Sequence, residues 1–99
     1  MNMQLLHVSF NINGSISADT LKEKFNLGLD WIHYFSNCWI VKTNSNADKW
    51  YERLKPLLGP NDHIFICKID LSEDQGWLPQ WVWDWINKNK NDDGHPYVR

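Results

Sequence analysis

The chain has 99 residues, a formal net charge of −2 and a sequence pI near 6.0. That length makes one domain, which buries about two-thirds of its unfolded surface, and its 42% hydrophobic and 22% charged content are those of an ordinary globular protein. The acidic balance argues against a general binder of long nucleic acid, which carries a basic excess; no apolar run is long enough for a membrane span, and no secretory signal pattern opens the chain.

Residues 4 to 12 alternate, with Leu6, Val8, Phe10 and Ile12 on one side and Leu5, His7, Ser9 and Asn11 on the other, the pattern of a half-buried strand. Asn13-Gly14-Ser15 breaks it, and Ser17 is placed to cap a helix whose inner face carries Ala18, Leu21 and Phe25. Gly28 suits the residue just past that helix. Residues 31 to 43 predict a hairpin turning at Ser36-Asn37. With a regular two-residue loop, Phe35 lies opposite Cys38, His33 opposite Ile40 and Trp31 opposite Lys42. Lys42 is a poor core residue, so this set is expected outside and Ile32, Tyr34, Trp39 and Val41 inside.

Asn44-Ser45-Asn46 offers caps for a second helix with Ala47, Trp50, Tyr51, Leu54, Leu57 and Leu58 as its stripe, ending near Pro56. Gly59-Pro60-Asn61-Asp62 is a turn cluster. In the strand from His63 to Asp70, Phe65, Cys67 and Ile69 are expected inside, and Ile64, Ile66 and Lys68 outside. This separates Cys67 from Cys38 and argues against a disulfide; neither cysteine has metal spacing, and a reducing cytoplasmic setting is the default. Gly76 to Ile86 holds four tryptophans, and Pro79 fits a helix start. Leu78, Trp81, Val82, Trp85 and Ile86 then form the inner stripe, while Trp83 projects elsewhere.

The order strand, helix, strand, strand, helix, strand is the ferredoxin-like βαββαβ arrangement, an α+β fold, here with an added C-terminal Trp-rich helix. Residues 1–90 are read as a single domain and 91–99 as a polar, flexible tail.

Four stretches carry a family resemblance: Val8-Ser9-Phe10-Asn11, the run from Ser36 to Thr43, Arg53-Leu54-Lys55-Pro56 and Gly76-Trp77-Leu78-Pro79. Over about residues 5 to 87 the chain resembles small bacterial proteins labelled SinR-family, which are similar in fold to the small CRISPR adaptation subunit and to virulence-associated protein D. The resemblance implies a homodimer. It also implies that a nuclease-active relative would place a metal-holding Asp near the end of the first strand. Asn11 stands there instead and lacks the carboxylate charge a hard cation prefers.

No Ser-His-Asp set, phosphate loop or Cys-His pair can be defended, and His7, His33, His63 and His95 lack spaced partners for a metal. The expectation is therefore no catalytic residue, no metal and no cofactor. Two helices cover one side of such a sheet and leave the other too apolar for water. On that side His7, Ser9, Asn11, Trp31, His33, Lys42 and Lys68 are the expected ligand-binding set, with aromatics to stack a base and lysines for phosphate. Ile40, Ile64, Ile66 and Trp83 are the expected interface. Burial of this side under the end helix or a second subunit is the simpler expectation. The leading functional expectation is a non-catalytic cytoplasmic homodimer that binds a small anionic nucleotide-like ligand, as a sequestering protein in phage–host conflict would. One alternative is a protein-interaction module anchored by Trp83 on a host or defence protein; another is a metal-dependent ribonuclease of the virulence-associated protein D type.

Overall fold

The computed structural model describes residues 3–12 and 16–90. The breaker at 13–15, the tail at 91–99 with its Asp92-Asp93 pair, and His95 lie outside the described residues. The elements are β1 (Gln4–Asn11), α1 (Ala18–Phe25), β2 (Asp30–Phe35), β3 (Cys38–Thr43), α2 (Ala47–Leu54), β4 (His63–Ile69) and α3 (Gln80–Lys90). A short 3-10 turn, Lys55–Leu57, carries Pro56 and ends α2. The sheet order is β2-β3-β1-β4 with every neighbouring pair antiparallel, the ferredoxin-like α+β arrangement.

Local chemistry sets the element boundaries. Ser17 caps α1 by accepting the Thr20 amide at 3.1 Å, and Asn46 caps α2 by accepting the Lys49 amide at 2.9 Å. Asp62 closes the turn after α2 by accepting the Gly59 amide at 2.8 Å. Pro79 stands just before α3, where its carbonyl accepts the Val82 amide at 3.0 Å. Gly28 is required by proximity: a Cβ there would lie 2.6 Å from Val41 Cγ2.

The main core lies between the sheet and α1/α2. Leu6, Val8, Phe10, Trp39 and Val41 from the strands meet Leu21, Phe25, Trp50 and Leu54 from the helices. Trp39 is fully buried and stacks on Phe25 at 4.3 Å and 9°; Phe25 lies 5.7 Å from Trp50, and Arg53 sits over Trp50 at 4.8 Å. Thr43 Oγ1 accepts from the Trp50 indole at 3.1 Å, satisfying a buried donor. On the opposite side Leu5, Ile32 and Ile40 are buried with Val82 and Ile86 of α3.

Three expected orientations are corrected. First, β2 is inverted. A register shift between His33 and Phe35 pairs His33 with Trp39 and Trp31 with Val41, so Trp31 and His33 face α1/α2 and Ile32 and Tyr34 face α3. An extra residue in one strand flips every side chain beyond it, because the side-chain period is two. Phe35 does lie opposite Cys38.

Second, β4 is inverted. Phe10 pairs with Ile64, Val8 with Ile66 and Leu6 with Lys68, which turns Ile64 and Ile66 toward the main core. Lys68 is tolerated on that side because β4 is an edge strand and the side chain remains exposed. Cys67 consequently shares the α3 side with Cys38, although β1 lies between their strands; both thiols are unbridged.

Third, α3 buries the row Val82, Ile86, Asn89 and Lys90, with Leu78, Trp83 and Trp85 only partly covered. Trp81, expected inside, is 53% exposed because it stands about 100° around the helix from Val82.

Candidate functional site

The β2 inversion splits the expected ligand-binding set. His7, Ser9, Asn11 and Lys42 stay on the α3 side, whereas Trp31, His33 and Lys68 belong to the α1/α2 side. Lys42 pairs with Leu5 and Asp30, while Lys68 lies two strands away on the opposite face, so the two lysines do not converge. Ile40 is buried, with Val82 and Ile86 of α3 in the same cluster. Trp83 packs against that cluster. Asn11 is exposed, pairs with His63 and borders a cavity of about 270 Å³ that Ser36, Asn37 and Trp39 also line. Among the described residues no three His, Cys, Asp or Glu side chains cluster as a metal set.

Two constellations emerge instead. One is a groove of about 410 Å³ across the outer edge of β2. Trp31 and His33 line it from one side of the sheet together with Lys22 of α1; Ile32, Trp81 and Trp85 line it from the other. Its aromatic wall is held in place. Trp31 donates its indole N–H to Asn26 at 2.8 Å and contacts Trp39 at 5.2 Å. His33 stacks on Trp39 at 4.0 Å and 2°. Its Nε2 lies 3.0 Å from the Ser36 carbonyl, which can only accept, so Nε2 carries the proton. The Trp31 backbone amide is taken by the Asp30 carboxylate at 2.8 Å, and Lys88 approaches that carboxylate at 3.8 Å. The groove thus combines rigid ring surfaces with the Lys22 cation.

The other constellation lies on the α3 side, above the reach of α3. His7 Nε2 and the Tyr34 hydroxyl are 2.5 Å apart, and Tyr34 also hydrogen-bonds the Cys38 thiol. Burial lowers the His7 pKa below 6.5. Burial first, then the neighbouring Cys38, pushes the Tyr34 phenol up to about 12. Ser9 sits between Cys38 and Phe65 in the ladder, and Phe65 is 64% exposed.

Sequence reasoning found Trp31, His33 and His7 but missed Lys22, Trp81 and Trp85 in the groove, and Tyr34 with Cys38 in the polar cluster. The weak turn at Ser36-Asn37, which lacks an Asn-Gly or Asp-Gly pair, was the available sign that the hairpin is irregular. Among the described residues no helix is long and apolar enough to cross a membrane. No family model matches the chain, and neither a curated protein nor a solved structure matches it. The family resemblance therefore rests on the sequence landmarks alone.

Proposed function

We propose that the protein is a non-catalytic binding protein for a small anionic nucleotide-like ligand, held in the groove at the edge of β2. The observation that carries this reading is the groove itself: Trp31, His33, Trp81 and Trp85 offer ring surfaces beside Lys22. Stacking on such a ring contributes on the order of 1–3 kcal/mol per base. One lysine suits a ligand with few charges, and a polymer needs many phosphate contacts. Asn11, a neutral amide at the end of β1, supports leaving hydrolysis out of the reading.

Calorimetry against linear and cyclic mononucleotides tests it. Trp81→Ala and Lys22→Ala should each weaken binding about tenfold, equivalent to about 1.4 kcal/mol, while Lys68→Ala leaves it unchanged. Absence of binding by the wild type at tens of micromolar, or equal binding by both groove variants, removes the proposal.

The same proposal includes a second copy of the chain along β4. That strand is a sheet edge with an outward row of backbone groups, and Phe65 is 64% exposed beside it. Antiparallel self-pairing would extend the sheet in its own pattern. Light scattering should give a dimer mass that Phe65→Asp reduces to a monomer; a monomer mass for the wild type removes this part.

A protein-interaction role is the second reading. Trp77 is 98% exposed just ahead of α3, and Trp81 follows at 53%. Tryptophan is enriched at binding hot spots. The anchor in this reading shifts from Trp83 to Trp77, and capture of a host or defence protein that depends on Trp77 but not on Lys22 would favour it.

A further inference from the structure

The groove leaves unexplained the polar cluster on the other side of the sheet. Three adjacent strands supply it: His7 from β1, Tyr34 from β2 and Cys38 from β3. The β2 irregularity makes the meeting geometrically available. In a regular hairpin Tyr34 would share a face with Trp39, whereas the register shift between His33 and Phe35 brings it to the face that carries His7 and Cys38. Bulges are over-represented where a side chain must be re-aimed beside a functional site.

We propose that Cys38 is a nucleophilic thiol, deprotonated through Tyr34 by His7, and that it is a site for covalent capture of a soft electrophile. The hydrogen-bond geometry supplies the direction. A neutral His7 accepts at Nε2 from the Tyr34 hydroxyl, 2.5 Å away, and the Tyr34 oxygen accepts from the Cys38 thiol. Burial of His7 favours this neutral, accepting form near neutral pH. Proton movement along the chain leaves a thiolate at Cys38, a re-formed Tyr34 hydroxyl pointing at the sulfur, and an imidazolium at His7. The thiolate is the form that attacks. With a haloacetamide, the Sγ–C bond forms as the carbon–halogen bond breaks, halide leaves with the electron pair, and the thiol proton rests on His7.

Access is consistent with this role. Cys38 is partly exposed, and Phe35 beside it is 52% exposed. The thiol lies 3.6 Å from Asn37 Oδ1, a second acceptor at the rim. Cys67, also unbridged and partly exposed on this face, pairs in the ladder with His7 and is an internal reference.

The test measures alkylation of the full chain by iodoacetamide, followed by mass spectrometry, in a Cys67→Ser background for Cys38 and in a Cys38→Ser background for Cys67. Cys38 should react faster than Cys67. Tyr34→Phe and His7→Gln should each slow Cys38 at least about tenfold, the low side of what a positioned base contributes. Tyr34→Phe separates the relay from packing: removing a hydroxyl opens space at the sulfur, so a merely shielding tyrosine would leave the rate unchanged or raise it. An unchanged Cys38 rate in either variant, in protein whose circular dichroism matches the wild type, overturns the relay; so does a Cys38 rate no higher than that of Cys67.

Discussion

The two sides of the sheet differ in how they are filled. Toward α1 and α2, nine buried residues close around a continuous stack of Trp39, Phe25 and Trp50. Toward α3, five buried residues form a smaller cluster, and beyond it stand His7, Tyr34 and Cys38 with their polar atoms joined to one another. A filled face leaves no room for chemistry. A half-covered face keeps polar groups near solvent while still desolvating them enough to shift their ionisation, as His7 and Tyr34 illustrate. The groove exists for a related reason: α1 and α3 approach the β2 edge from opposite sides without meeting, so rings that serve as packing on their inner surfaces present the outer ones.

The sharpest break in this comparison is Trp39→Ala. Removing a fully buried indole that stacks on both Phe25 and His33 should cost about 3–5 kcal/mol. Against a typical total of about 5–15 kcal/mol, a urea titration should show the whole domain brought near unfolding. Ile86→Asp addresses the other side. It places a charge within the smaller cluster, and hydrogen exchange should show α3 losing protection while β1 and β3 keep most of theirs. If instead both variants unfold the chain to the same extent, the two faces are one cooperative unit and the comparison fails.

A smaller effect is expected at Gly28, where the main core meets the chain between α1 and β2. Gly28→Ala puts a Cβ 2.6 Å from Val41 Cγ2 and 3.1 Å from the Lys42 carbonyl. Overpacking of this kind costs about 1–3 kcal/mol, read as a lowered urea midpoint. Loss of the midpoint shift in a Gly28→Ala, Val41→Ala double variant would locate the strain at that contact.

The smallest effect concerns His7. Its folded pKa is lowered by burial, so the unfolded chain binds the proton more readily. Its contribution to stability is therefore fully present above pH 6.5 and is lost as pH falls from there through the folded value. His7→Gln should flatten the stability curve in that window and leave its high-pH side unchanged. A curve that keeps its slope just below pH 6.5 would assign the slope to other groups.

The element order, both helix caps at Ser17 and Asn46, the turn at Gly59–Asp62 and the start of α3 beside Pro79 were legible in the sequence, and with them the ferredoxin-like fold. Each depends on contacts between residues a few positions apart, so local pattern is sufficient. The inner row of β1 was equally legible, because its alternation places Leu6, Val8 and Phe10 against the polar His7, Ser9 and Asn11. In β4 both rows are largely apolar, and only pairing with β1 decided that Ile64 and Ile66 point toward α1 and α2. In β2 a single extra residue decided the faces of Trp31, His33 and Tyr34, and with them the groove and the polar cluster together. In α3 two apolar stripes compete, and the packed sheet selected Val82 and Ile86, leaving Trp81 outside. Periodicity states which residues share a face; which face meets which neighbour is set only when strands pair and helices dock, because a strand's two sides are locally equivalent until something covers one of them.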